Sequence, residues 1–130
     1  MSTPTVTTGE SLPSLEIHAD PTFIVSTALA TRDFQDVHHD RDIAQASGSK
    51  DIFMNILTTN GLVERYVVDW AGPATERKGI AIRLGAPAYP YDTLTFTGTV
   101  ESVDDGIATI SVVGRVSLGD HVTGTVRVVA

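Results

Sequence analysis

Residues 32–44 read RDFQDVHHDRDIA, four aspartates around two adjacent histidines in a 130-residue chain that holds only four histidines. Carboxylates and imidazoles packed this closely have three outlets. They can stand in water, with Asp33 or Asp36 capping a helix. They can ligate a metal, which takes three or four converging donors. Or one carboxylate and one imidazole can share a water and move its proton, a role worth roughly 10²–10⁴-fold in rate. The side chains of neighbours such as His38 and His39 point apart, and no cysteine or third histidine stands nearby, so no metal is expected. His18 and His121 are remote in sequence. Asp33 and His38 lie five residues apart, and a turn between them would fold both into one pocket.

The elements that must position this pair follow from patterning. Residues 22–31 (TFIVSTALAT) are rich in β-branched side chains and predict a strand leading into the Asp/His stretch. SGS at 47–49 breaks the short helix that follows. From Asp51 to Gly72-Pro73, the apolar residues Ile52, Phe53, Ile56, Leu57, Val63, Tyr66, Val67 and Trp70 recur every three or four positions, the period of a helix. Asp51 is the expected N-cap and Gly72 the expected stop. Gly61 within this run suggests close packing or a short kink, since glycine weakens a helix by about 1 kcal/mol against alanine. Trp70, Phe53 and Phe96 are read as core. The second half predicts strands at 79–89, 93–103, 107–119 and 121–130, with DDG at 104–106 as a hairpin turn. About five strands and one long apolar helix imply an α+β fold, a sheet wrapped around that helix, in a single domain over residues 15–130.

Composition narrows the partners. The net charge of −7 argues against nucleic acid, which calls for a basic stripe. The absence of cysteine removes thiolate chemistry and disulfides. Residues 1–14 (MSTPTVTTGESLPS) lack the basic start and apolar run of a signal peptide and are read as a loose tail. No apolar run reaches the ~20 residues of a membrane span. The expected location is the cytoplasm.

The stretch resembles the hydratase motif of the MaoC-like hot-dog family, commonly Asp-x-Asn-Pro-x-His-x-Asp followed by a helical alanine. Asp33, Gln35, Asp36, Val37, His38, Asp40 and Ala44 occupy those places in order. Gln35 stands where asparagine is usual and Asp36 where proline is usual. GLVERYVVDWAGP resembles the family's central helix and its exit, and LGAPAYPYDTLTFTGTV its strand entry, with Tyr91 in the usual glycine place. The resemblance runs over residues 20–130. FIVSTALATRDFQDVHHDRD, GSKDIF, NILT and DWAGP are similar to the small MaoC-like subunits of actinobacterial hydratases acting on shortened steroid side chains.

The resemblance implies a hot-dog fold and hydration of trans-2-enoyl thioesters of CoA, with Asp33 and His38 catalytic and His39 on a variable position. It implies a second MaoC-like hot-dog subunit, in a heterodimer or heterotetramer, that helps to form a wide acyl pocket. No cofactor is implied, because the CoA thioester is the substrate. In the family a glycine at the start of the central helix often offers its N–H to the thioester oxygen. Asn55 falls there, which makes it the oxyanion candidate; the alternative is a solvent-facing polar residue. CoA phosphates call for cations, and Arg77, Lys78 and, on the next strand, Arg83 are the candidates. A homodimeric general hydratase, an acyl-carrier-protein dehydratase and a non-catalytic scaffold remain as alternatives to the heteromeric enzyme.

Overall fold

The computed structural model describes residues 6–130. Its elements run β1 (Ser11–Ala19), α1 (Pro21–Ala30), a 3₁₀ turn (Asp36–His38), α2 (Arg41–Ala46), α3 (Ile56–Ala71), β2 (Arg77–Leu84), β3 (Asp92–Asp104), β4 (Ile107–Val116) and β5 (Gly119–Val129). All pairings are antiparallel, in the order β1-β3-β4-β5-β2. The sheet wraps around α3, which is the hot-dog arrangement.

Two expectations at the N-terminal end are corrected. Residues 22–31 form α1, not a strand. Asp20 caps this helix, accepting from Phe23 N–H at 2.7 Å, and Pro21 occupies its first turn, where its missing N–H costs nothing. Ile24 and Ala28, one turn apart, are its fully buried face. The fifth strand comes instead from residues 11–19, and the residues just before it are docked too, with Val6 on the core and Gly9 N–H donating to Val100 O at 2.8 Å, so the expected tail does not hold over 6–14; residues 1–5 lie outside the described residues. Pro13 conceals this strand in the sequence. It sits at a register shift between Leu12 and Leu15 on the sheet's edge, where a missing ladder donor is tolerated.

The core fills the concave side of the sheet. Leu94, Phe96 and Val100 of β3, Ile110 and Val112 of β4, and Val122, Val126 and Val128 of β5 alternate inward and meet Leu62, Val63, Tyr66 and Val67 of α3. Tyr66 stacks on Phe96 with centroids 5.7 Å apart. Asp105 and Gly106, both at positive φ, form the two-residue β3–β4 turn that DDG signals. Tyr91 has a φ of 68°, a left-handed backbone that explains why glycine suits this place.

The central helix starts later than expected, at the Asn55 cap rather than Asp51. The 51–55 segment is held away from helical geometry by two long-range bonds. Phe53 N–H donates to Val37 O at 3.2 Å, and Met54 N–H to Ala88 O at 3.1 Å. The Asp51 carboxylate accepts from Ile52 N–H and faces Arg41 at 3.8 Å. Gly61 needs neither explanation given to it: α3 runs through it, and a methyl group there would meet nothing within 4 Å.

Candidate active site

Asp33 is placed by the end of α1. Thr31 is the C-cap, and Arg32 adopts a φ of 58°. Arg32 N–H donates to Leu29 O and Asp33 N–H to Ala28 O, the paired bonds of a Schellman motif. This reversal turns Asp33 back over the core. His38 is placed by the 3₁₀ turn, through His38 N–H to Gln35 O at 3.1 Å. Asp40 then caps α2, accepting from Ile43 N–H at 3.1 Å, and anchors the far side of the turn through buried Ala44.

The two side chains converge. His38 Nε2 lies 3.4 Å from Asp33 Oδ2, and both residues are largely shielded from solvent. His38 Nδ1 lies 2.7 Å from Phe53 O. A carbonyl only accepts, so Nδ1 carries a proton, and Nε2 is left to face Asp33 and the cavity. The Phe53 ring meets the imidazole edge-on, centroids 4.9 Å apart. Phe53, expected in the core, is instead part of the site wall and lies outside the core cluster. His39 faces Asp36 at 3.6 Å and takes no part in the cavity wall.

Asp33 and His38 open on a cavity of about 330 Å³ that is also lined by Gln35, Phe53, Met54, Ile56, Leu84, the 85–87 segment and His121. Its rim is apolar and open, with Ile56 51% and Leu84 43% exposed. His121 is the residue sequence distance hides. Its buried Nδ1 donates to Ala86 O at 2.7 Å, and Nε2 accepts from the Thr59 hydroxyl at 2.8 Å. One ring thus joins β5, α3 and the cavity wall. Burial lowers its pKa below the ordinary value, and the bond to Ala86 partly offsets this. Only the β4–β5–β2 pairing brings this residue to the site, and no local motif signals it.

Asn55 is not a solvent-facing residue. It is fully buried, and its amide donates to Thr31 Oγ1 at 2.9 Å and to Asp33 Oδ2 at 3.2 Å. Among the described residues, the backbone N–H groups of Asn55, Ile56 and Leu57 have no acceptor. These are the free donors of a helix N-terminus, and Ile56 lies on the cavity wall.

The cation candidates are not brought to this cavity. Arg77 is held by Glu64 at 2.7 Å and Lys78 by Glu76 at 2.7 Å. Arg83 adjoins Leu84 of the wall, but strand alternation puts it on the other face. Two of the three charges are paired within the chain. Among the described residues, no three His, Cys, Asp or Glu side chains group as metal ligands.

Residues 4–122 match the family model of the MaoC like domain. The chain belongs to the MaoC-like family. It is 67% identical over 119 residues to the 3-oxo-4,17-pregnadiene-20-carboxyl-CoA hydratase beta subunit of Mycobacterium tuberculosis, covering 92% of each chain. A chain in the crystal structure of the ChsH1-ChsH2 complex from the same organism superposes with a TM-score of 0.94 at 64% identity, over 96% of this chain and 98% of that one. The (R)-hydratase from A. caviae involved in PHA biosynthesis shares the fold, with a TM-score of 0.86 at 18% identity over 95% and 96% of the two chains. The MaoC-like reading of the Asp/His stretch thus agrees in family and in fold. No helix among the described residues is long and apolar enough to cross a membrane.

Proposed function

We propose that this MaoC-like chain is the Asp–His-bearing subunit of a heteromeric enoyl-CoA hydratase acting on a steroid side-chain thioester. The observation that carries the chemistry is the Asp33–His38 pair, 3.4 Å apart on the wall of a largely apolar cavity. A water held between Oδ2 and Nε2 adds through its oxygen to C3 of the enoyl thioester. As that bond forms, the pair takes a proton from the water. The electrons of the double bond move onto the thioester oxygen, and the pair returns a proton to C2. The pair is left as it began, and no cofactor is needed.

The thioester oxygen gains charge and needs donors. The unpaired N–H groups at the start of α3 suit it, and loss of one such donor typically costs about 10²–10³-fold. The Asn55 N–H is among them, now as a backbone donor only.

The steroid acyl group and the second hot-dog subunit belong to this reading. The similar M. tuberculosis protein is named as the beta subunit of a 3-oxo-4,17-pregnadiene-20-carboxyl-CoA hydratase, and the chain that superposes comes from a ChsH1-ChsH2 complex. The cavity gives physical support. Its 330 Å³ is at the bottom of the ~300–1,000 Å³ range of ligand sites, and its rim leaves Ile56 and Leu84 uncovered. A fused-ring acyl group calls for more wall than this chain supplies. A cytoplasmic location goes with a CoA thioester substrate.

The test is hydration followed at the enoyl chromophore, with the chain alone and with its candidate partner. A steroid side-chain enoyl-CoA and a short linear enoyl-CoA would be compared. Steroid-selective turnover that needs the partner is expected. Strong activity of the chain alone on the short substrate would point to a homodimeric general hydratase instead.

A further inference from the structure

Asn55 sits where two separate pieces of the site meet: the turn after α1 that carries Asp33, and the first turn of α3. It is fully buried and uses its whole hydrogen-bonding capacity. Oδ1 accepts from Thr58 N–H at 3.3 Å and from the Thr58 hydroxyl. Nδ2 donates to Thr31 Oγ1 and to Asp33 Oδ2. Chemistry fixes which way the amide points. A backbone N–H only donates, so the oxygen must face Thr58 and the NH₂ must face Asp33. The Thr31 hydroxyl is directed to Thr27 O at 2.8 Å and Ala28 O at 3.0 Å, which leaves its oxygen as an acceptor towards Asn55.

We propose that Asn55 is a positioning residue for the reaction, whose amide holds the Asp33 carboxylate in its working rotation while capping the helix whose N-terminus receives the thioester. This rests on the reading of Asp33 and His38 as the hydration pair. Oδ2 of Asp33 is shared between the Asn55 amide and His38 Nε2, and Oδ1 receives Gln35 N–H at 3.3 Å. Rotation of the carboxylate would break the set. The charged or titratable neighbours of Asp33 are His38 from the 3₁₀ turn, Arg32 next in the chain and His121 across the cavity. Among the described residues no other carboxylate lines this cavity, and Asp36 of the same turn faces His39. Asparagine is suited to both tasks at once: aspartate caps but cannot donate, serine caps but is too short to reach Asp33, and glycine leaves only its N–H.

The test compares Asn55→Asp and Asn55→Ser in the two-subunit complex, by kcat and KM across pH and by thermal unfolding. Asn55→Asp keeps the size and the cap but sets a second carboxylate against Asp33. The two acids then titrate as a pair, one of them at a raised value. The acid limb of kcat/KM is expected to move up by about one pH unit or more, with kcat down about tenfold and KM little changed. Asn55→Ser is expected to lose about tenfold in kcat without the upward move. A residue that only caps α3 would leave both variants with the wild-type kcat and acid limb, and that result overturns the proposal. The Asp33 carboxyl signal, followed by carbon NMR in wild type and Asn55→Asp and assigned with Asp33→Asn, gives a readout that needs no activity. An unmoved titration there also overturns it. Wild-type turnover by Asp33→Asn would instead overturn the hydration pair itself.

Discussion

Acidification should loosen the wall of the cavity through His121. Its imidazole donates to Ala86 O and, as the neutral ring, accepts from Thr59, and burial disfavours the charged form. Burial pulls its pKa below the ordinary value of 6.5. The unfolded chain therefore binds this proton more readily than the folded one, and stability falls as pH drops below about 6.5. Each pH unit over which the unfolded imidazole is protonated and the folded one is not costs ~1.4 kcal/mol. Urea unfolding near pH 7.5, 6.5, 5.5 and 5.0 measures this, with wild type beside His121→Gln. Glutamine still accepts from Thr59 but does not titrate. The variant should be less stable near pH 7.5, by about 1–3 kcal/mol for a lost buried bond. Its further loss on acidification should be smaller than the wild type's, by up to ~1.4 kcal/mol for each pH unit below the ordinary imidazole value. Equal losses on acidification would refute the assignment, because His18, His38 and His39 are present in both proteins.

Other outcomes follow from single contacts. Gly61→Ala should stabilise the chain by about 1 kcal/mol in thermal unfolding, since the new methyl meets nothing within 4 Å and α3 gains helix propensity. The buried Tyr66 hydroxyl has no partner among the described residues, and burial raises its pKa. Tyr66→Phe should then be neutral or stabilising by about 1 kcal/mol; a clear loss of stability would mean that the hydroxyl bonds to something such as a bound water. Arg77→Ala with Lys78→Ala should leave KM for the enoyl-CoA within about twofold, because Glu64 and Glu76 already hold these charges and such exposed pairs are worth ~1 kcal/mol or less. A tenfold rise in KM would return them to the CoA phosphates.

The parts of the site that were legible in the sequence are those fixed by local geometry. Asp33 and His38 share one short turn, so their spacing carries their meeting. The β3–β4 hairpin announces itself in Asp105-Gly106, and the inward row of Leu94, Phe96 and Val100 in strand alternation. The misread parts are those where tertiary contacts outweigh propensity. The β-branched run at 22–31 is helical because Asp20 and Pro21 start it and the core takes Ile24 and Ala28. The Asp20-Pro21 pair was the available signal. The start of α3 was displaced to Asn55 because Val37 O and Ala88 O hold the preceding segment extended. His121 joins the site only through strand order, and the bond from Asn55 to Asp33 crosses 22 residues. Neither leaves a trace in a linear pattern.

The central claim is that Asp33 and His38 work as one unit. Single-turnover hydration by the two-subunit complex, with Asp33→Asn, His38→Gln and the double variant, tests it most directly. Each single variant should lose about 10² or more, and the double variant should be scarcely slower than the worse of the two. Either single variant within tenfold of wild type, or losses that multiply in the double variant, would contradict it.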